Sequence, residues 1–198
     1  HMERTLEGKR IIVTGATSGM GKVIALRLAQ QGATIVIAGR HPATAEATAQ
    51  EIRRQAPGSE VHVLVADLTA LAQVRALAQA YQSAYPRLDA LINNAGGMFA
   101  RRQVSVDGLE MTFALNYFAP FLLTHLLLDM LKASAPARII TVASATHVGK
   151  RVPFADLTHE QGYKPLDVYA ESKLMAIMFT YAPVSYTHLR AHETGRKL

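Results

Sequence analysis

Short apolar runs alternate with longer amphipathic stretches along most of the chain. The apolar runs are rich in β-branched residues, as in RIIVT (Arg10–Thr14) and TIVIAGR (34–40), and this composition predicts buried strands. Further runs of this kind occupy residues 61–68, 88–96 and 137–144. The stretches between them have helical spacing and end near Gly or Pro, which predicts helices. In the first helix, Val23, Leu26 and Ala29 recur about one turn apart and predict its buried face.

Strands that alternate with helices of this length form β-α-β units with a parallel sheet. Right-handed crossovers then produce a doubly wound, Rossmann-like α/β sheet, for which we predict the strand order 3-2-1-4-5. A long helix is predicted over residues 107–132 and a last helix from about Leu166. Because no repeat or interior linker interrupts this pattern, we predict one domain over residues 1–182.

Composition and charge exclude several function classes. The chain has 198 residues, of which 49% are hydrophobic and 18% charged, as in ordinary globular proteins. Its formal charge of +6 is scattered without runs of like sign, so we expect no nucleic-acid partner. The absence of cysteine excludes disulfides and thiolate chemistry, and we predict no metal site. Polar residues interrupt the apolar stretch 117–132, so we expect it to be buried and not to span a membrane.

A glycine-rich segment, TGATSGMG (residues 14–21), lies between the first strand and the first helix. Glycines allow a tight turn and a close approach of the backbone to a ligand, and the following helix presents free N–H groups that bind phosphate. The strand–turn–helix context favours a dinucleotide pyrophosphate site, although a purely structural turn remains an alternative. The candidate cofactor-binding residues here are Gly15, Thr17, Ser18, Gly19, Met20 and Gly21.

The segment YAESK places Tyr169 and Lys173 at positions i and i+4 of the last helix. This spacing puts both side chains on one helix face, about one turn apart. A lysine ammonium favours the ionised form of a nearby phenol, which suits such a pair to acid–base catalysis. Tyr and Lys also occur at this spacing by chance, so the pair alone does not establish an active site.

Together these motifs resemble the short-chain dehydrogenase/reductase family, classical type, over about residues 8–182. The turn has the spacing G-x-x-x-G-x-G of that family. The other motifs that carry the resemblance are Asp67-Leu68, NNAG (residues 93–96), Asn116, Ser144 and YAESK. For cofactor binding the resemblance implies contacts to adenine from Asp67 and further contacts from Leu68, Asn94, Ala95, Gly96, Tyr169 and Lys173.

The resemblance also implies a catalytic set. Tyr169 would exchange a proton with the substrate oxygen, Lys173 would assist its ionisation and hold the nicotinamide ribose, and Ser144 would hydrogen-bond the reacting oxygen. The backbone carbonyl of Asn116 would hold a water molecule in a proton relay. Pro120 fits this use because it has no N–H to donate to that carbonyl, although it can equally be a simple kink.

The end of the second strand, IAGRH, bears on the choice of dinucleotide. Gly39 occupies the place where an acidic residue would favour NAD, and Arg40 follows it. An arginine there suits the 2′-phosphate of NADP, so we predict NADP in preference to NAD. The alternative is that Arg40 is an ordinary solvated side chain.

Within the family, residues 107–128 and the spacing between Ser144 and Tyr169 resemble the retinol-dehydrogenase-like branch. This implies an oxidoreductase that interconverts a small-molecule aldehyde or ketone and an alcohol by hydride transfer with NADP(H). It also implies a homodimer or homotetramer formed through residues 107–132 and 166–182. A non-catalytic dinucleotide-binding module is the alternative. Because the chain starts almost directly at its first strand, we expect a cytoplasmic protein without a membrane partner.

The end of the chain departs from this pattern. Pro183 interrupts the last helix, and no apolar periodicity resumes after it. The segment VSYTHLRAHET corresponds to a translated transposase adapter used in preparing DNA-sequencing libraries. We therefore expect residues 183–194 to be translated adapter, residues 183–198 to be a non-native tail, and the family's last strands to be missing. Weak or no activity is expected for such a chain.

Overall fold

The computed structural model describes residues 5–181, so the predicted tail and the predicted domain end at residue 182 lie outside the described residues. The strands are β1 (Arg10–Thr14), β2 (Thr34–Gly39), β3 (Val61–Val65), β4 (Ala90–Asn93) and β5 (Arg138–Thr141). They form one parallel sheet in the order β3-β2-β1-β4-β5, which confirms the predicted Rossmann-like order. β1 therefore lies at the centre, and the carboxyl ends of all five strands meet at one edge.

Helices cover both faces of this sheet. They are α1 (Gly19–Gln30), α2 (Pro42–Gln55), α3 (Leu71–Ala84), α4 (Met111–Phe113), α5 (Ala119–Ala133) and α6 (Pro165–Tyr181). A π-helical segment, Ala114–Phe118, joins α4 to α5, and a short 3₁₀ turn, Ala145–His147, follows β5.

Two buried clusters explain why the central strands are almost continuously apolar. Ile12 packs with residues of α3 and α5 on one face, whereas Ile11 and Val13 pack with residues of α1 and α2 on the other. Because both faces of a parallel sheet are covered by helices, consecutive side chains are all buried. β5 differs, because it is an edge strand and Ile140 is 46% exposed.

The buried face of α1 differs from the predicted one. Gly21, Ala25 and Ala29 are buried, whereas Val23 is 56% exposed. The prediction was correct for Ala29 and wrong for Val23. Small residues allow α1 to approach the sheet and the glycine-rich turn closely, and close packing there takes precedence over apolar character.

The long helical region begins at Met111, four residues later than predicted. Glu110 caps it, since its carboxylate accepts a hydrogen bond from Phe113 N at 2.9 Å. Asp107 instead caps α3 from outside, because Leu71 N donates to its carboxylate at 2.8 Å. The region Met111–Ala133 is long and apolar enough to cross a membrane by length and composition, and half of its most apolar stretch is buried within the fold.

Candidate active site

A cleft of about 500 Å³, called the larger cleft below, opens at the carboxyl ends of the strands. Ligands of open α/β sheets bind at this edge. The predicted cofactor-binding residues that line it are Gly15, Thr17, Ser18, Met20, Gly21, Arg40, Asp67, Leu68, Asn94, Ala95 and Gly96. Gly19 is not among its lining residues.

The glycine-rich turn is tied to the loop that follows β4. Gly15 and Gly19 have φ angles of +65° and +52°, a left-handed conformation that favours glycine. A Cβ atom on Gly15 would lie only 2.7 Å from Cα of Ala95. Asn94 Nδ2 donates to the carbonyl oxygens of Thr14 and Gly15 at 2.9 and 3.1 Å. These contacts fix the turn against β4.

The turn and the start of α1 form a cradle that fits a dinucleotide pyrophosphate. Ser18 is the N-cap residue of α1, but its side chain makes no capping hydrogen bond. The first N–H groups of α1 are therefore available to an anion, which the positive end of the helix dipole also favours. A Cβ atom at Gly21 would collide with the Asn94 side chain and the Gly15 carbonyl, so the cradle depends on glycine.

The carboxyl end of β2 carries no acidic side chain, and Gly39 packs closely against Thr17. A Cβ atom at Gly39 would lie 2.6 Å from Cγ2 of Thr17. The adjacent Arg40 is exposed and lines the larger cleft, and its Nε donates to His41 Nε2 at 3.2 Å. Sequence reasoning missed His41 and Thr44, which also line the cleft. Their position directly after Arg40, at the start of α2, was the available signal.

Asp67 lies in a turn directly after β3. Its carboxylate accepts hydrogen bonds from Thr69 N at 2.9 Å and Thr69 Oγ1 at 2.7 Å. Both bonds are made within the turn itself. Asp67 and Leu68 also line the larger cleft. The turn thus presents a carboxylate whose orientation is fixed by its own neighbour.

A second cleft of about 260 Å³, the smaller cleft, brings three of the four predicted catalytic residues together. Ser144, Tyr169 and Lys173 all line it. It shares Met20, Asn94 and Gly96 with the larger cleft, so the two are continuous. A molecule bound along both clefts would reach from Arg40 to Tyr169.

Lys173 is almost completely buried, with 4% of its surface exposed. Its Nζ donates to the carbonyl oxygen of Val142 at 2.9 Å and lies 5.7 Å from the centre of the Tyr169 ring. Burial lowers the pKa of Lys173. A Cβ atom at Gly96 would lie 3.2 Å from Nζ, so the absence of a side chain there leaves room for the ammonium group.

Asn116 lies behind the two clefts and lines neither. Its Nδ2 donates to Gly97 O and to Ser172 Oγ, both at 2.9 Å, and its Oδ1 accepts from Gly97 N at 2.8 Å. Ser172 Oγ in turn donates to Tyr169 O at 2.6 Å. Sequence reasoning missed Gly97 and Ser172. The signal for Ser172 was its place three residues after Tyr169 on the helix.

The π-helical segment contains Asn116 and ends two residues before Pro120. Ala119 N donates to Ala114 O, five residues back. Pro120 has no N–H and cannot donate to the carbonyl of Asn116. π-helical segments are frequent at functional sites. The proposed water on the Asn116 carbonyl remains a prediction.

Ser144 caps the 3₁₀ turn that follows β5. Its Oγ accepts from Thr146 N at 3.3 Å and from Thr146 Oγ1 at 3.0 Å. Both contacts use the acceptor capacity of the hydroxyl, so its own proton can point into the smaller cleft toward an oxygen acceptor.

Comparison with known proteins is consistent with this geometry. The model of the family described as short chain dehydrogenase matches residues 9–182. Retinol dehydrogenase 13 of Homo sapiens is 42% identical over 177 residues, which cover 89% of this chain and 54% of that protein. The chain therefore spans about half the length of the curated relatives it matches.

Solved structures share the fold. A Mycobacterium paratuberculosis protein superposes with a TM-score of 0.82 at 34% identity, covering 94% of this chain and 67% of the other. The RhlG/NADP active-site complex of Pseudomonas aeruginosa superposes with a TM-score of 0.74 at 29% identity, covering 93% of this chain and 71% of that one.

Proposed function

Because the chain belongs to the short-chain dehydrogenase family, we propose that it interconverts a carbonyl compound and an alcohol by hydride transfer with NADP(H). The observation that carries this proposal is the continuity of the two clefts. The glycine-lined larger cleft leads directly to Ser144, Tyr169 and Lys173 in the smaller one. The name of the human relative, retinol dehydrogenase 13, supports an alcohol or carbonyl substrate.

Each catalytic side chain has a distinct role in this proposal. When bound, the nicotinamide supplies or accepts the hydride. The Tyr169 hydroxyl exchanges a proton with the substrate oxygen, and the Ser144 hydroxyl donates a hydrogen bond to it. The Lys173 ammonium favours loss of the Tyr169 proton and holds the nicotinamide ribose. The carbonyl of Asn116 holds a water molecule that connects this site to solvent.

We further propose a preference for NADP(H) over NAD(H). Arg40 supplies a positive charge at the edge of the larger cleft. Gly39 supplies no acidic side chain that would repel a 2′-phosphate. The RhlG complex, which contains NADP, is consistent with this preference in a protein of the same fold.

A titration with NADPH and with NADH, followed by nicotinamide fluorescence, tests both proposals. Arg40→Ala should weaken NADPH binding about tenfold, the effect expected from losing a hydrogen bond to a charged group, and should leave NADH binding unchanged. Arg75→Ala, an exposed arginine of α3, is the matched control. Equal loss for both cofactors would contradict the role of Arg40, and no saturable binding would contradict the function itself.

Turnover separates the enzyme from a non-catalytic binding module. Any oxidation of NADPH in the presence of an aldehyde or ketone, weak as we expect it to be, should be lost in Tyr169→Phe without loss of NADPH binding. We also expect this chain to bind cofactor more weakly and turn over more slowly than longer family members, because the edge strand β5 leaves Ile140 46% exposed. Binding of NADPH without turnover, both in this chain and in a version of it extended to the length of its relatives, would favour the module.

Assembly and location remain predictions. Exposed apolar side chains on α5 and α6, among them Phe121 and Met178, support the proposed homodimer or homotetramer. Sedimentation velocity at several concentrations would measure the assembly, and Met178→Glu should shift it toward the monomer. Fractionation of cells would test the predicted cytoplasmic location against membrane association.

A further inference from the structure

A buried contact between a histidine and a glutamate lies outside both clefts. His159 Nε2 lies 2.9 Å from Glu171 Oε2, and the two side chains are only 11% and 15% exposed. Within residues 5–181, neither atom has a hydrogen-bonding partner of good geometry, so the two meet as a close polar contact and not as a well-aligned hydrogen bond. Burying an unpaired polar group costs free energy, so each of these groups makes the burial of the other tolerable.

The contact joins two parts of the chain that frame the smaller cleft. Glu171 lies on α6 between Tyr169 and Lys173, and His159 lies in segment 145–164. This segment connects Ser144 to α6, and the only regular structure in it is a short 3₁₀ turn at its start. The sheet fixes Ser144 from the β5 side, where Val142 N donates to Asn93 O. The conformation of this segment constrains it from the α6 side, toward Tyr169.

The backbone of His159 is strained. Its φ angle of +47° is the only left-handed value of a non-glycine residue among the described residues. Such a conformation persists only where surrounding contacts stabilise it. Three side chains contact His159 here: Glu171, Phe113 edge-on at 5.3 Å between ring centres, and Tyr163 edge-on at 6.5 Å between ring centres.

Other contacts also hold the segment. Val152, Leu157 and Tyr163 pack against an apolar cluster that contains Val168 and Met175 of α6, whereas the other polar contacts of the segment are more exposed or lead away from α6. Arg102 Nε donates to Thr158 O at 2.9 Å and ties the segment to the loop after β4. Lys150 pairs with Asp167 of α6 at 2.5 Å, with side chains 32% and 42% exposed, and exposed ion pairs contribute little. His159–Glu171 is thus the buried polar contact between this segment and the helix that carries Tyr169.

We propose that His159 and Glu171 form a positioning pair that holds segment 145–164 against α6, so that Ser144 and Tyr169 meet one substrate oxygen. Its catalytic consequence rests on the proposed function, whereas the contact itself does not. Loss of the pair shifts Ser144 relative to Tyr169 and leaves the larger cleft unchanged. Turnover therefore falls while cofactor affinity is retained.

The test is a double-mutant cycle with His159→Asn, Glu171→Gln and both together. Asparagine tolerates a positive φ angle, so the first change removes the imidazole without adding strain. Each single variant should lower kcat/KM about tenfold or more with the NADPH dissociation constant changed less than about twofold, and the double variant should be no worse than the worse single one. Glu160→Gln, a 72% exposed side chain of the same segment, should change neither.

Three results would overturn the proposal: unchanged kcat/KM in both single variants, effects that simply add in the double variant, or a parallel loss of NADPH affinity. If the wild-type chain binds NADPH but shows no turnover, amide hydrogen exchange of residues 145–164 replaces kinetics as the readout. Exchange should then rise in both single variants and rise no further in the double one, and unaltered exchange would overturn the proposal. Absence of NADPH binding by the wild type would instead count against the proposed function.

Discussion

Lys173 Nζ lies 2.9 Å from the carbonyl oxygen of Val142, the residue that follows β5. This bond connects α6, the helix that carries Tyr169, to the strand that precedes Ser144. The Lys173 ammonium is thus anchored to the end of the sheet and also lies 5.7 Å from the centre of the Tyr169 ring. A buried, anchored charge acts in a medium of low dielectric, where its influence on a neighbouring hydroxyl is stronger than in water.

Replacing Lys173 by Met should lower kcat about 100-fold or more, because the charge that assists proton transfer is lost. In the wild type, burial lowers the pKa of Lys173, so the ammonium loses its proton at lower pH than an exposed lysine does. Activity should therefore fall on the alkaline side, as pH rises through this lowered value. In Lys173→Arg the alkaline loss should move to higher pH, since guanidinium stays charged. A pH–rate profile measures both effects, and near-normal turnover in Lys173→Met would contradict the assigned role.

Gly96→Ala should inactivate the site without unfolding the protein. The added Cβ would lie 3.2 Å from both Lys173 Nζ and Asn116 Oδ1, so one of these groups must move. We expect about a tenfold or greater loss of kcat, since displacements near the reacting groups are costly. Gly97→Ala is the matched control, because its Cβ would meet only the end of the Leu115 side chain, at 3.4 Å. Equal losses of kcat in the two variants would count against this explanation.

Asn116→Ala should destabilise the loop after β4 more than Ser172→Ala does. Asn116 makes three hydrogen bonds, two of them to the backbone of Gly97, and their loss leaves buried polar groups unpaired. We expect a loss of about 2–3 kcal/mol for Asn116→Ala and about 1 kcal/mol for Ser172→Ala. Urea unfolding measures both free energies, and NADPH affinity should fall with Asn116→Ala. A larger loss of stability in Ser172→Ala than in Asn116→Ala would show that Ser172 is the residue that holds this loop.

Asp89 should make stability depend on pH in acid. It is 5% exposed and accepts hydrogen bonds from Arg87, from Arg10 N and from Lys9. Burial raises its pKa, but the hydrogen bonds outweigh burial, so the net pKa is lowered. A lowered carboxyl pKa contributes stability above the ordinary value of about 4, and this contribution is lost as pH falls through the folded-state value.

The test is Asp89→Asn, which should cost about 2–3 kcal/mol at neutral pH and should flatten the acid dependence. The free energy of unfolding, measured in urea between neutral and acid pH, reports both effects. Asp129→Asn on the exposed surface of α5 is the control and should change neither. An acid dependence that persists unchanged in Asp89→Asn would assign it to other carboxylates.

The sheet could be predicted because each of its strands leaves a clear apolar pattern in a short stretch of sequence. Apolar, β-branched runs such as Arg10–Thr14 are buried on both faces, and their alternation with helices leaves few topologies. The predicted order 3-2-1-4-5 is confirmed. The start of the long helix at Met111 was missed, because Asp107 caps α3 and thus contacts a residue 36 positions away. A contact at that distance leaves no periodic signal.

In the candidate site, too, residues in short motifs could be predicted, whereas contacts between distant residues could not. Motif spacing located Gly15, Asn94 and Tyr169 at one edge of the sheet. It did not predict that Val23 would be exposed, because the close approach of α1 to the turn depends on small residues across the fold. Nor did it reveal Ser172, whose hydroxyl belongs to the site only through the hydrogen bond that it accepts from Asn116 Nδ2.

The central place of β1 has a consequence for the order of folding during synthesis. β1 pairs with β2 early, at Arg10 and Thr34, but with β4 only after Ala90 has left the ribosome. The hydrogen bond from Asn94 to the Thr14 carbonyl spans 80 positions. A nascent chain can thus assemble half of its sheet before β4 completes the turn that would hold the pyrophosphate. Cofactor cannot assist the first half of folding, because its binding site is created by the second.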